Sequence, residues 1–96
     1  MRVIIKRPED AVGSVQDIPN TLEALQEAVD GPIETITVCT DLVIICNDEG
    51  RLRGLPYNCS LLGAGFFGTV VVVGKDGDEF ADCPLAFHDW VLRWLK

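Results

Sequence analysis

The chain has 96 residues, 48% of them apolar and 24% charged, and 15 Asp and Glu against 8 Lys and Arg give a formal charge of −7. That apolar fraction excludes a disordered chain, and the length suits one core rather than two, so a single α+β domain over 1–96 is expected. The negative balance argues against direct binding to nucleic acid, whose phosphates require a basic surface.

The apolar residues between Met1 and Arg7 are too few for a secretion core, and the apolar run Val70 to Val73 falls far short of the ~20 residues that cross a bilayer. A cytoplasmic protein with no membrane attachment is expected. Cys39, Cys46, Cys59 and Cys83 are read as reduced thiols. None of them forms a Cys-x-x-Cys pair and His88 is the single histidine, so neither a metal site nor a cofactor is expected.

Charge placement is uneven. Segment 8–50 contains ten acids and no Lys or Arg, while the basic residues sit at Arg2, Lys6, Arg7, Arg51, Arg53, Lys75, Arg93 and Lys96.

In chain order, Val3 to Ile5 and Val12 to Ile18 read as two strands joined by the loop around Pro8. Asn20 stands as an N-cap before a helix over 21–30, closed by Gly31-Pro32, with Leu22, Leu25 and Val29 as its core stripe and Glu23, Glu27 and Asp30 facing outward. Segments 33–38 and 42–47 are rich in β-branched residues and predict an antiparallel pair across the turn at Thr40-Asp41. After the turn at Asp48-Glu49-Gly50, Arg51 to Leu55 predicts a short strand and Tyr57 to Gly65 a loop or irregular turn. Phe66 to Val73 predicts a central strand, which turns at Lys75-Asp76-Gly77-Asp78 into a brief strand at Glu79 to Ala81. Pro84 opens a second helix with Phe87, Trp90, Val91 and Trp94 on its core face and Leu85 and Leu92 on another side. The expected architecture is two-layer α+β: a mostly antiparallel sheet of five to six strands with two helices on one face.

No catalytic set stands out. Gly63-Ala64-Gly65-Phe66-Phe67-Gly68 matches a dinucleotide-binding string, but the glycines precede a strand where that motif opens a helix, so they read as a tight turn or bulge. His88 has no spaced Ser and Asp partners for a relay, and acid pairs such as Asp78-Glu79 fall in turns. The chain is therefore read as a non-enzyme. The best small-ligand candidate is Arg51-Leu52-Arg53, whose guanidinium groups would share one face of a strand beside Tyr57 and Asn58 and would grip a phosphate or stack on a base.

The ordered segments Asn20-Thr21-Leu22-Glu23-Ala24-Leu25-Gln26, Ile45-Cys46-Asn47-Asp48-Glu49-Gly50, Gly54-Leu55-Pro56-Tyr57-Asn58, Gly68 to Gly74 and Asp78-Glu79-Phe80 resemble a small bacterial domain family of unknown function found often in phages, plasmids and conjugative elements. The chain departs from that family's pattern at Pro32, where a tyrosine is usual, and in its Trp-rich end. The resemblance implies a mobile-element accessory protein and carries over no catalytic residue. Joined to the anionic first half, it leads to an expectation of anti-CRISPR or anti-restriction action, in which an acidic surface mimicking DNA occupies the basic groove of a host defence complex. The acids expected to bind that partner are Glu23, Glu27, Asp30 and Glu34.

Two other classes stay open. One is a sponge-like module in which Arg51, Arg53, Tyr57 and Asn58 hold a nucleotide. The other is a structural accessory domain that forms a homodimer through Leu85 and Leu92 or through an open sheet edge.

Overall fold

The computed structural model describes residues 1–61 and 63–94, and its sheet grows from the two most apolar segments of the chain. All six residues of β4 (Leu42–Asn47) and the first five of β7 (Val70–Asp76) are buried. Unbroken runs of β-branched residues form strands covered on both faces, whereas a half-exposed strand would alternate with polar residues. The two strands pair antiparallel from Leu42 opposite Gly74 to Ile45 opposite Val71.

The other side of β7 is shared. Its first half pairs with β1 (Arg2–Lys6), Lys6 opposite Val70, and its second half with β8 (Glu79–Ala81), Ala81 opposite Gly74. Outside β1 lies β2 (Ser14–Asp17), and outside β4 lies β3 (Ile33–Cys39), which gives a six-stranded sheet in the order β2-β1-β7-β4-β3 with β8 alongside β7. Every pairing is antiparallel.

Alternation along these strands feeds two cores. On one face, Leu25 and Val29 of helix α1 (Leu22–Val29) pack against Val3, Ile5, Val43, Ile45, Val71 and Val73. On the other, Ile4, Leu42, Ile44, Val70 and Val72 are covered by Cys59 and Phe66, from the hairpin of β5 (Tyr57–Leu61) and β6 (Ala64–Phe67), and by Val91 of α2 (His88–Trp94). An eight-residue helix is marginal by itself, so α1 depends on docking Leu25 and Val29, each worth about 1.5–3 kcal/mol on burial.

The α+β class, the mostly antiparallel sheet and the two helices are as the sequence predicts. The helices, however, take opposite faces of the sheet, because a sheet apolar on both sides needs cover on both. Helix α1 is capped by Thr21, whose hydroxyl accepts the Ala24 N–H at 3.1 Å, while Asn20 donates to the Phe80 carbonyl instead. Leu22 is exposed and outside the core, as is much of Trp90, and the expected core role of Trp94 lies outside the described side chains.

Four strand assignments change. The second strand begins at Ser14 rather than Val12. Residues 51–54 form a turn in which Arg53 N–H donates to the Glu49 carbonyl, so Arg51 to Leu55 is no strand. The segment read as a loop from Tyr57 pairs with Ala64–Phe67 as a separate two-stranded sheet, and the long strand expected over 66–73 is divided between β6 and β7. Gly68 makes that division: it sits at φ +86°, and a Cβ there would come within 2.8 Å of the Leu55 side chain.

Asn58 fastens the hairpin to the sheet. Its amide donates to the carbonyls of Lys6 at 2.8 Å and Gly68 at 2.9 Å, and its carbonyl accepts from the Lys6 ammonium at 2.9 Å. Lys6 is only 2% exposed and has no carboxylate within ion-pair distance among the described residues, so this amide is the group that satisfies its charge. Asn58→Ala strands a buried ammonium and two buried carbonyls and is expected to cost roughly 3 kcal/mol or more in urea unfolding. Adding Lys6→Met should recover part of that loss, and a cost for Asn58→Ala below about 1 kcal/mol would contradict the clamp.

Candidate binding surfaces

Helix α1 holds Glu23 and Glu27 on its outward side, four residues apart and both exposed, as the helical spacing predicts. Asp30 ends the same helix in the left-handed conformation, φ 61°. There it is engaged by Arg53, which donates to the Asp30 carboxylate at 3.1 Å and to its backbone carbonyl at 2.5 Å. Asn47 donates to the carbonyls of Val29 and Asp30 at 2.9 and 3.0 Å and accepts the Glu49 N–H at 2.7 Å. A helix without a basic residue in its last turn thus takes its positive charge from a distant turn, where a cation favours the C-terminal dipole.

Glu34 lies elsewhere. On β3 it stands opposite Cys46 and shares a face with Ile36 and Val38, which pack on the core away from α1. The four acids expected to act together are therefore not one array. Glu23 and Glu27 remain on the α1 side, Asp30 is paired with Arg53, and Glu34 is on the reverse of the sheet.

The arginine set is divided in the same way. Arg51 lies over the Phe67 ring at 5.0 Å from its centroid, and Tyr57 meets that ring edge-on at 5.7 Å. The Tyr57 hydroxyl is 2.5 Å from Ser60 Oγ. Arg53 is committed to Asp30 and Asn58 to Lys6, so of the expected ligand-binding residues the structure brings only Arg51 and Tyr57 together. Beside them opens a cleft of about 230 Å³, walled by Glu34, Asp48, Arg51, Gly65 and Phe67. Phe67 is the residue that sequence reasoning missed, because the segment was read as the start of a core strand rather than the end of a hairpin.

The glycine string takes the bland role. Gly63 turns the hairpin at φ +81°, Gly65 lies within β6, and Gly68 breaks the chain into β7. His88 Nε2 lies 3.0 Å from the Cys83 carbonyl, a contact in which the ring N–H donates and ties α2 to the strand region before it.

A second hollow, of about 510 Å³ and almost wholly apolar, lies between Val38 and Cys39 at the end of β3 and Ala86, Phe87 and Trp90. Phe87 and Trp90 form its edge-to-face wall at 6.4 Å. Leu85 protrudes at 69% exposure, whereas Leu92 packs against the core and borders a different hollow beside Val12, so the two leucines line no common patch.

The four cysteines are free thiols, Cys39 exposed and the others buried. Burial pushes Cys46 and Cys83 up to about 11, and at Cys46 the carboxylates of Glu34 and Asp48 add to the rise. Because the ordinary value is 9.0, the unfolded chain releases these protons first, so the contribution to stability is whole below pH 9 and is lost as pH rises toward 11. The urea midpoint is expected to fall across that window and to fall less in a Cys46→Val, Cys83→Val double variant. Equal falls in both proteins would contradict the assignment.

No helix among the described residues is long and apolar enough to cross a membrane. No curated protein and no solved structure matches the chain. The model of a domain of unknown function, DUF3846, matches residues 1–94, nearly the whole length. The ordered motifs through Asn20–Gln26, Ile45–Gly50 and Gly68–Gly74 thus sit within one family-wide match, and the chain belongs to the DUF3846 family.

Proposed function

We propose that the chain is a non-enzymatic binding protein whose negative surface engages a cationic surface on another protein, and that it serves a mobile element by occupying the basic groove of a nucleic-acid-handling defence complex. The observation that carries this reading is the unequal burial of charge. Every Asp and Glu except Asp10 is exposed, whereas Lys6 is buried, Arg2 and Lys75 are partly buried, and Arg7 and Arg53 are engaged by Asp10 and Asp30. The surface is more acidic than the composition implies. Such a field speeds encounter with a basic partner and loses strength as salt rises.

Glu23 and Glu27 are the acids of the expected set that stay together on one side, with no ion pair among the described residues. Purified restriction and CRISPR nucleases titrated with the protein are expected to lose activity at low salt and regain it as salt is raised. Reversing both charges with Glu23→Lys and Glu27→Lys should weaken inhibition at least tenfold. Inhibition that ignores salt and both substitutions would contradict the electrostatic mechanism, and a fully active panel would contradict the choice of partner.

A second reading is favoured by one specific contact. Arg51 stacked on Phe67, with Tyr57 at the ring edge and a cleft alongside, is an arrangement that holds a planar anionic ligand such as a nucleotide. A nucleotide present at 100 times its dissociation constant would stabilise the fold by about 2.7 kcal/mol. Thermal unfolding with a nucleotide panel should show that shift, and Arg51→Ala should remove it. No shift with any nucleotide would exclude the reading.

A further inference from the structure

Strand β3 ends the six-stranded sheet, and no described strand pairs with its outer edge. Alternate residues there present backbone N–H and C=O groups to solvent, which is the template that an added strand completes. Natural edges of this kind are protected by lysine, an interior proline or a β-bulge; Ile33-Glu34-Thr35-Ile36-Thr37-Val38-Cys39 contains no lysine or proline, and its one register shift, between Thr37 and Cys39, lies at the far end and leaves 33–37 regular. Its side chains on the face away from α1 are Glu34, Ile36 and Val38, and each end of that row opens into one of the two hollows. At the first end Glu34 borders the polar cleft with Asp48, whose N–H donates to the Pro32 carbonyl at 2.8 Å and so sits at the start of β3. At the other end Val38 borders the apolar hollow of Phe87 and Trp90.

We infer that the β3 edge is a docking site for an extended segment of a partner protein, which adds as a further strand and carries a Lys or Arg four residues from a large apolar side chain. The spacing follows from the strand itself. Glu34 is in phase with Ile36 and Val38, which pack on one face of β3, and the register shift falls only between Thr37 and Cys39, so the residues of an added strand that meet Glu34 and Val38 are about four positions and ~13 Å apart. The cation meets Glu34 and Asp48, neither of which forms an ion pair among the described residues, and the apolar side chain enters the hollow beside Trp90. Charge selects this occupant over a second copy of the chain. Another copy would bring its own −7 charge and another Glu34 to the same edge, whereas a basic segment is attracted to it. Backbone pairing supplies the attachment and the two hollows the specificity, the usual division in strand addition.

The inference deepens the binding reading above and names the partner's chemistry at a different place from Glu23 and Glu27. The test uses the full chain and a fluorescent synthetic nonapeptide of β-branched residues with Arg and Leu four positions apart, measured by anisotropy and by amide chemical shifts. Saturable binding is expected, with shifts concentrated on β3 and around Phe87. Glu34→Lys, an exposed substitution that leaves the fold intact, should weaken binding at least tenfold. Exchanging Arg for Glu in the peptide should do the same, and N-methylation of alternate peptide amides should abolish it. Binding indifferent to Glu34→Lys, shifts centred elsewhere, no binding at all, or a β3 edge already closed in a homodimer by light scattering would each overturn the proposal. Peptide binding at β3 with an uninhibited nuclease panel would leave this site standing and remove the defence-complex reading; inhibition that survives Glu34→Lys alongside absent peptide binding would do the reverse.

Discussion

Strand β7 is the constraint on which the rest of the molecule is arranged. Val70 and Val72 point to one core and Val71 and Val73 to the other, and all four are fully buried. A strand with apolar side chains on both faces cannot lie at a surface, so α1 must cover one side and the hairpin with α2 the other. The same strand pairs with β4 along one edge and with β1 and β8 along the other, which places the first and last described strands around a single line of valines. Gly74 permits the last of these junctions, since a Cβ there would lie 2.1 Å from the Asp82 carbonyl oxygen.

Close cover on both faces leaves function to the edges and the rims. Charge follows that division: the acids lie outside, and Lys6 is drawn in to hold the hairpin through Asn58. The turn at 51–54 then works in two directions. Arg53 reaches back to close α1 at Asp30, and Arg51 reaches forward to Phe67, so one short connection links the helix on one side of the sheet to the hairpin on the other. Glu34 and Asp48, which form no ion pair among the described residues, mark the end of the open edge.

Much of the fold was legible because the strands announce themselves. The apolar runs of β4 and β7, the polar turn at Thr40-Asp41 and the valines broken by Lys75-Asp76-Gly77-Asp78 all form the elements that their composition predicts. Those same runs also carried the signal for burial on both faces, which placing both helices on one face overlooked. The hairpin at 57–67 was hidden because Tyr57-Asn58-Cys59-Ser60 is polar and Gly63 and Gly65 look like loop residues. Their strand character comes from pairing and from the Asn58 clamp, not from local preference. The acidic character of the surface was legible from composition, but the grouping of the acids was not. Asp30 meets Arg53 only because of a contact across 23 positions, and Glu34 faces away from Glu23 and Glu27 by strand alternation. Alternation on β3 could have signalled the latter, since Ile36 and Val38 lie in phase with Glu34.

A sheet closed at its centre and open at β3 has a direct signature in amide hydrogen exchange. The amides of β4 and β7 should exchange slowest, near the rate set by global unfolding, while the outward amides of β3 exchange orders of magnitude faster under the same conditions. Uniform protection across β3, or early exchange at Val71 and Val72, would contradict the arrangement described.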